Sequence, residues 1–270
     1  MSEIRAEVGV YRTDPLRRKE GVQTLVRGLT LMEAVGSGLR SLEEVAARTG
    51  LSRSTAYRLL AALCRKGYLR HVPQEGYFLG PRLIELGFKA HAQLHLPSVA
   101  RPHLEWLSQE TGETVHLAIL DGTEVVYVDK VPGRRELQMS SYIGVRLPAQ
   151  STALGKALVA GRPSEEWAQH FVPGLKRTER TIETFERFCE ELERVREQGY
   201  SVDLEENERG IRCIGAPIFD AGGRVVAAVS LSSAVVYLDE ERIPKLAPLV
   251  MEAARRISSA LGWSGRGREL

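Results

Sequence analysis

The sequence predicts an α+β protein with a small helical front domain and a larger domain built on an antiparallel sheet. Three observations carry this. Three helical periodicities follow one another within the first 70 residues and end in a short aromatic hairpin. Beyond residue 96, strand-like alternations flank Asp-Gly and Gly-Gly turns and are interleaved with helical stretches. The length, 270 residues, suits roughly two domains.

Residues 1–20 lack sustained periodicity and contain Pro15, which predicts an N-terminal arm. From Val22 the apolar positions Val22, Leu25, Val26, Leu29, Met32 and Val35 fall at threes and fours, one face of an amphipathic helix. Gly36 and Gly38 end it. Ser41, followed three residues later by Glu44, forms a capping-box pattern that opens a second helix, closed by Gly50. Ser52 caps a third, SRSTAYRLLAALCRKG, whose inner stripe is Ala56, Leu59, Leu60 and Leu63. YLRHVPQEGYFLG then forms two short strands around a Pro73–Gly76 turn. Three short helices, a tight turn between the second and third, and a hairpin describe a winged helix-turn-helix over 21–82. Leu83–Leu96 is the expected linker helix, and 97–264 the second domain.

That second domain opens with a helix at Pro97–Thr111. Glu113–Leu120 and Glu124–Val131 alternate around Asp121-Gly122, a hairpin signal. Leu137–Ile143 is expected as a third strand, Ser151–Gly161 and Thr181–Gly199 as helices, Ile211–Phe219 and Arg224–Ser232 as paired strands, and Asp239–Leu261 as the closing helix.

Net charge is +2, but its distribution is uneven: residues 1–90 carry +6 and residues 91–270 carry −4. Leu51–Gln74 holds five basic residues and no acidic one. A polyanion partner for the front domain follows naturally. No apolar run approaches the roughly 18 residues of a membrane span, and the charged N-terminus has no secretory apolar core. Cys64, Cys189 and Cys213 are odd in number and far apart, against a disulfide framework or zinc ribbon and for a reducing cytoplasm.

On the third helix, Ser54, Tyr57, Arg58, Ala61 and Arg65 lie away from the inner stripe, at 100° per residue. Ser52, Arg53, Ser54 and Thr55 crowd its N-terminus, the end that enters a major groove. Arginine binds guanine O6/N7 bidentately, and hydroxyls bind phosphate. Ser52, Arg53, Ser54, Thr55, Tyr57, Arg58 and Arg65, with Arg70 and Tyr77 of the wing, are the candidate DNA contacts; His71 is a lesser one. The wing side chains could equally pack locally.

SLEEVAARTGLSRSTAYRLLAALCRKGYLR followed by GYFLGPRLIELG resembles the DNA-binding domain of IclR-family bacterial transcription regulators. STALGKALVAG resembles the family's TAxGKA segment, and GYSVDLEENERGIRCIGAPIFDAGGRVVAAVSLSS its long C-terminal signature. The resemblance implies a GAF-like effector-binding domain behind the linker helix. It implies homodimers joined through their N-terminal parts, often paired into homotetramers, acting as repressor or activator of a catabolic operon on a double-stranded DNA operator. The effector it implies is a small carboxylate, with or without an aromatic ring.

The residues can also be read for a pocket. Alternation in Arg224–Ser233 places Ala228, Ser230 and Ser232 on one face. Ser151–Lys156 is a loop entering a helix, whose free N–H groups can hold a carboxylate. The resemblance puts the effector contacts at Ala153, Leu154, Asp203, Cys213, Ser230 and Ser232. The blander alternatives are core hydroxyls at Ser230 and Ser232, a turn-capping Asp203, a small buried Cys213 and a solvated Lys156. Val145, Leu147 and Leu154 are candidate apolar lining.

No cofactor is expected. GxSxG, GxGxxG and P-loop patterns are missing from the chain, no histidine neighbours Cys213 in sequence, and His91 and His95 lack an HExxH context. The alternative reading is a small-molecule sensor or enzyme whose front domain serves only to dimerise.

Overall fold

A computed structural model describes residues 20–93, 95–136 and 140–265. The described residues form two compact units, divided after Gln93. The expected arm, apart from Glu20, lies outside the described residues.

In the first unit, α1 (Glu20–Gly36), α2 (Leu42–Thr49) and α3 (Arg53–Arg65) precede a hairpin of β1 (Leu69–Val72) and β2 (Gly76–Leu79), then α4 (Pro81–Gln93). The capping box forms as its spacing requires: Glu44 N–H donates to Ser41 Oγ at 3.2 Å, and Ser41 N–H donates to Glu44 Oε2 at 2.9 Å. Gly50 closes α2 in the left-handed region at φ 66°, so the chain turns at once into α3. Leu31, Ala34 and Val35 of α1, Val45 and Ala46 of α2, and Ala56 and Leu60 of α3 make the core.

The α1 stripe is corrected. Val22, Leu25, Val26 and Leu29 are exposed, and only the C-terminal half of α1 meets α2 and α3. The wing is pinned by Arg40. Its guanidinium donates to the Val35 and Tyr77 carbonyls, and its own carbonyl accepts from Tyr77 N–H at 2.8 Å. Gly76 must be glycine there, because a Cβ would stand 2.3 Å from the Arg40 carbonyl oxygen. The linker helix ends at Gln93 rather than Leu96, and the next helix starts at Leu96 with proline in its first turn.

The second unit runs α5 (Leu96–Thr111), β3 (Thr114–Asp121), β4 (Glu124–Val131), β5 (Arg146–Pro148), α6 (Ala153–Ala160), α7 (Phe185–Gln198), β6 (Ser201–Leu204), β7 (Ile211–Phe219), β8 (Val225–Ala234) and α8 (Ile243–Ala260). Six strands pair in the order β5-β4-β3-β8-β7-β6, every pair antiparallel. The α+β expectation holds.

Strand alternation decides what each sheet face does. Val115, Leu117, Ile214, Ala216, Val229 and Leu231 face α5 and α8 and form the larger core. Their neighbours in sequence face the other way. There Ala118, Val125 and Ala228 pack beneath α6 and α7, against Leu154, Ala157, Phe188 and Leu192.

The third strand is corrected. Leu137–Met139 lie outside the described residues, 140–145 form no strand, and the strand is Arg146–Pro148, with Arg146 opposite Val126. The turn that delivers it contains Gly144 at φ 92°. Strand β6 was not expected, since four residues leave too little alternation to register. Helix α7 starts at Phe185, capped by Thr184, and α8 at Ile243, because Leu238 is buried before it.

Candidate functional site

Two sites emerge, one in each unit. On α3, Ala56 and Leu60 are fully buried, and Leu59 and Leu63 are half-buried, so the opposite side is fixed outward. Arg53, Ser54, Tyr57, Arg58 and Arg65 are exposed, Tyr57 by 57%. Tyr57, Ala61 and Arg65 share a shallow groove with Arg53 and with His71 and Gln74 of the wing. A polyanion would meet cations and hydroxyls along it.

Three side chains are already engaged. Ser52 caps α3 by accepting from Thr55 N–H at 3.3 Å, and it donates to Thr55 Oγ1 at 2.9 Å. Arg53 pairs with Glu43 of α2 at 2.9 Å, with both side chains more than half exposed. Such a pair is worth ~0–1 kcal/mol and yields easily to a phosphate. Arg70 is exposed, its guanidinium 5.0 Å from the Phe78 ring centre. Tyr77 is corrected as a DNA contact. It is 8% exposed and packed in the core, its ring 4.8 Å from His71, because the β2 alternation turns it inward.

The second site is a cavity of about 130 Å³ on the sheet face opposite α5 and α8. The expected residues Ala153, Leu154, Asp203, Cys213, Ser230 and Ser232 all line it. Sheet register explains the grouping: Ser230 lies opposite His116, and Ser232 is paired with Cys213, which in turn faces Asp203. Ser230 Oγ is buried and has no hydrogen-bond partner among the described residues.

The N-terminus of α6 points into this space. Thr152 Oγ1 takes the Gly155 N–H at 3.1 Å and the Thr152 carbonyl takes that of Lys156, while those of Ala153 and Leu154 have no acceptor within the helix. Two glycines let this helix end sit so low. A Cβ on Gly155 would stand 2.1 Å from the Ala149 carbonyl oxygen, and one on Gly215 would stand 2.8 Å from that of Ala153. Ser201 Oγ secures the contact by donating to the Ala153 carbonyl at 2.6 Å.

Lys156 is corrected: it is a fully buried residue, not a solvated one. Its ammonium donates to Glu206 Oε1 at 2.6 Å and Glu191 Oε1 at 3.1 Å. Burial alone would lower its pKa, but the two carboxylates outweigh burial and raise it. Asp203 Oδ1 accepts from the N–H groups of Glu206 at 2.7 Å and Asn207 at 3.4 Å. Burial and the Glu206 carboxylate nonetheless push Asp203 up to about 7, against the pull of Lys156 and those two N–H groups. Burial, followed by Asp203, drives the Cys213 thiol up, so it stays protonated and is a poor nucleophile.

Sequence reasoning missed His116, Tyr127, Ser141, Asn207, Glu208 and Ile211 of the lining. Leu147 does line the cavity, whereas Val145 packs with the core instead. His95 stands beyond the end of α4, its Nδ1 3.0 Å from Ser98 Oγ, so it shares no helix face with His91. Among the described residues, no group of three or more His, Cys, Asp or Glu could hold a metal ion, and no helix is long and apolar enough to cross a membrane.

Comparison with known proteins finds matches in both units of the chain. The family model described as "Bacterial transcriptional regulator IclR C-terminal" matches residues 88–259, and that of the IclR helix-turn-helix domain matches residues 24–73. The HTH-type transcriptional regulator KdgR of Escherichia coli is 37% identical over 254 residues, covering 92% of this chain and 95% of its own. The transcriptional repressor IclR of the same organism is 34% identical over 249 residues, covering 89% and 90%. The crystal structure of Thermotoga maritima IclR superposes with a TM-score of 0.60 at 35% identity, covering 90% of this chain and all of that one. An outward-facing basic helix with a wing, followed in one chain by a domain holding a polar cavity, is the arrangement of a DNA-binding transcriptional regulator, and this chain belongs to the IclR family of such bacterial proteins.

Proposed function

We propose that the chain is a cytoplasmic, ligand-responsive regulator of a catabolic operon, without enzymatic activity, whose effector is a small carboxylate. The observation that carries this is Ser230 Oγ, a buried hydroxyl without a partner among the described residues, at one cavity with Ala153 and Leu154. A buried polar group left unpaired costs about 1–3 kcal/mol, which a ligand oxygen would recover. The carboxylate rests on those N–H groups and on Ser230 and Ser232. Asp203 takes a ligand hydroxyl, and Cys213 contributes a small wall. A dry cavity of about 150 Å³ elsewhere holds benzene, so this space suits an acid no bulkier than one ring.

A second copy covers Val22, Leu25, Val26 and Leu29 of α1, with Ile84 and Leu86 of α4 exposed in the same unit. This makes a homodimer, alone or paired into a tetramer, in which each dimer presents two α3 helices to successive major grooves of the operator. The acid shifts DNA affinity only by binding the DNA-competent and DNA-incompetent arrangements unequally.

Three experiments test this. With an operator selected from random-sequence duplexes, Arg58→Ala should weaken binding by ~1–3 kcal/mol and relax base preference at one position. An unchanged affinity and preference in a titration removes Arg58 from the contact set. The wild-type affinity should fall steeply with salt through counterion release, whereas a front domain that only dimerises would bind no duplex. Ser230→Ala combined with Ser232→Ala should leave operator binding intact and abolish the response to the acid. A normal response in that double variant refutes the pocket.

A further inference from the structure

The cavity has one wall that neither the motifs nor the resemblance assigned. His116 of β3 is buried, with its Nδ1 3.3 Å from Ser232 Oγ and its Nε2 2.7 Å from Ser141 Oγ. Its ring lies 4.6 Å from that of Tyr127. Burial, helped by the Lys130 ammonium, lowers the imidazole to about 3, so the ring is neutral. A neutral imidazole has one N–H and one accepting nitrogen, so its two hydrogen bonds run in one direction.

Ser232 sets that direction when a ligand arrives. If its hydroxyl donates to a carboxylate, its oxygen is left to accept from Nδ1–H. Nε2 then accepts from the Ser141 hydroxyl. Ser141 is held in place from its other side, where Lys130 Nζ donates to its carbonyl at 2.6 Å. The residues just beyond it clasp Tyr127: Gly144 N–H donates to the Tyr127 carbonyl at 2.8 Å, and Tyr127 N–H to that of Val145 at 3.1 Å. Between them Tyr142 and Ile143 stand 65% and 60% exposed.

We propose that His116 is a positioning residue that links an acid seated on Ser232 to Ser141, and through it orders the segment 140–145 that displays Tyr142 and Ile143. This rests on the carboxylate reading above. The cavity thereby controls an apolar surface patch that the ligand never touches.

The test uses the full chain with acetate, lactate, pyruvate and benzoate. Binding is read as a rise in melting temperature, and ordering as amide hydrogen exchange in 140–148 by mass spectrometry. An acid that raises the melting temperature should slow this exchange ~10-fold in wild type and in Ser141→Thr, which keeps the hydroxyl. In Ser141→Ala and His116→Phe, compared at acid concentrations that saturate each variant, the acid should slow exchange less than ~2-fold. Slowing in Ser141→Ala equal to wild type overturns the link. If none of the four acids binds wild type, the carboxylate reading fails instead, and ¹⁵N resonances of the His116 ring decide its role. A ring that stays neutral between about pH 5 and 8, with Nε2 shifted by Ser141→Ala, supports it. A ring that titrates in that range, or an Nε2 indifferent to Ser141→Ala, overturns it.

Discussion

A chain with methionine at Lys156 should lose about 3–5 kcal/mol of folding stability, because removing one partner strands a buried charge. Glu206 and Glu191 face this ammonium from a loop and from α7, and both are at least nine-tenths buried. Glu206 Oε2 has no hydrogen-bond partner among the described residues, whereas Glu191 keeps a second cation, Arg194, at 2.6 Å. Burial, only partly opposed by Lys156, holds the Glu206 carboxyl above its ordinary range, which makes it the group that suffers most. Urea unfolding followed by a probe in the second unit reads the loss. Adding Glu206→Gln to Lys156→Met should restore much of it, a coupling that a double-mutant cycle isolates. A single variant within about 1 kcal/mol of wild type would mean that the ion pair is solvated, contrary to its burial.

Asp203 makes the second large effect, and its sign is unusual for a carboxyl. Its ordinary value is 3.8 and its value in the fold is about 7. Between those limits the folded chain holds a proton that the unfolded chain has released, so stability contributed by this group is full below about pH 4 and is lost as pH rises through 7. The span corresponds to a loss of up to about 4 kcal/mol. Asp203→Asn should remove this fall and leave stability rising toward pH 6.5, because His116, ordinarily at 6.5, is held down to about 3 in the fold; Glu206, raised by burial like Asp203, opposes that rise. A variant whose curve tracks wild type from acid to neutral pH would place the proton elsewhere.

Much of this was legible before any coordinates, and the parts that were not have identifiable reasons. The α3 stripe and both serine caps follow from spacing within about four residues, where helix geometry leaves little choice. Tyr77 was misjudged because GYFL is too short to reveal which of its alternating sides the core needs. The first half of α1 was misjudged because apolar spacing announces a buried face without saying whether the chain itself buries it. Lys156 carried a signal that went unused: it is the only charged residue in ALGKALVA, and a helix apolar all round is an interior helix. His116 and Tyr127 were out of reach for a different reason. Their contribution depends on which strands become neighbours, and β3 meets β8 across more than a hundred residues of chain.

The close seating of α6 on the sheet has a practical consequence for anyone wishing to retrain this protein as a biosensor. Gly155, Gly215, Ser201 and Lys156 interlock the end of the cavity that would grip the acid, so randomising them would mostly yield insoluble protein. Leu147 and Ile211 line the same cavity and are only half-buried. A library confined to those two positions should change which molecules are detected while leaving the grip itself unaltered.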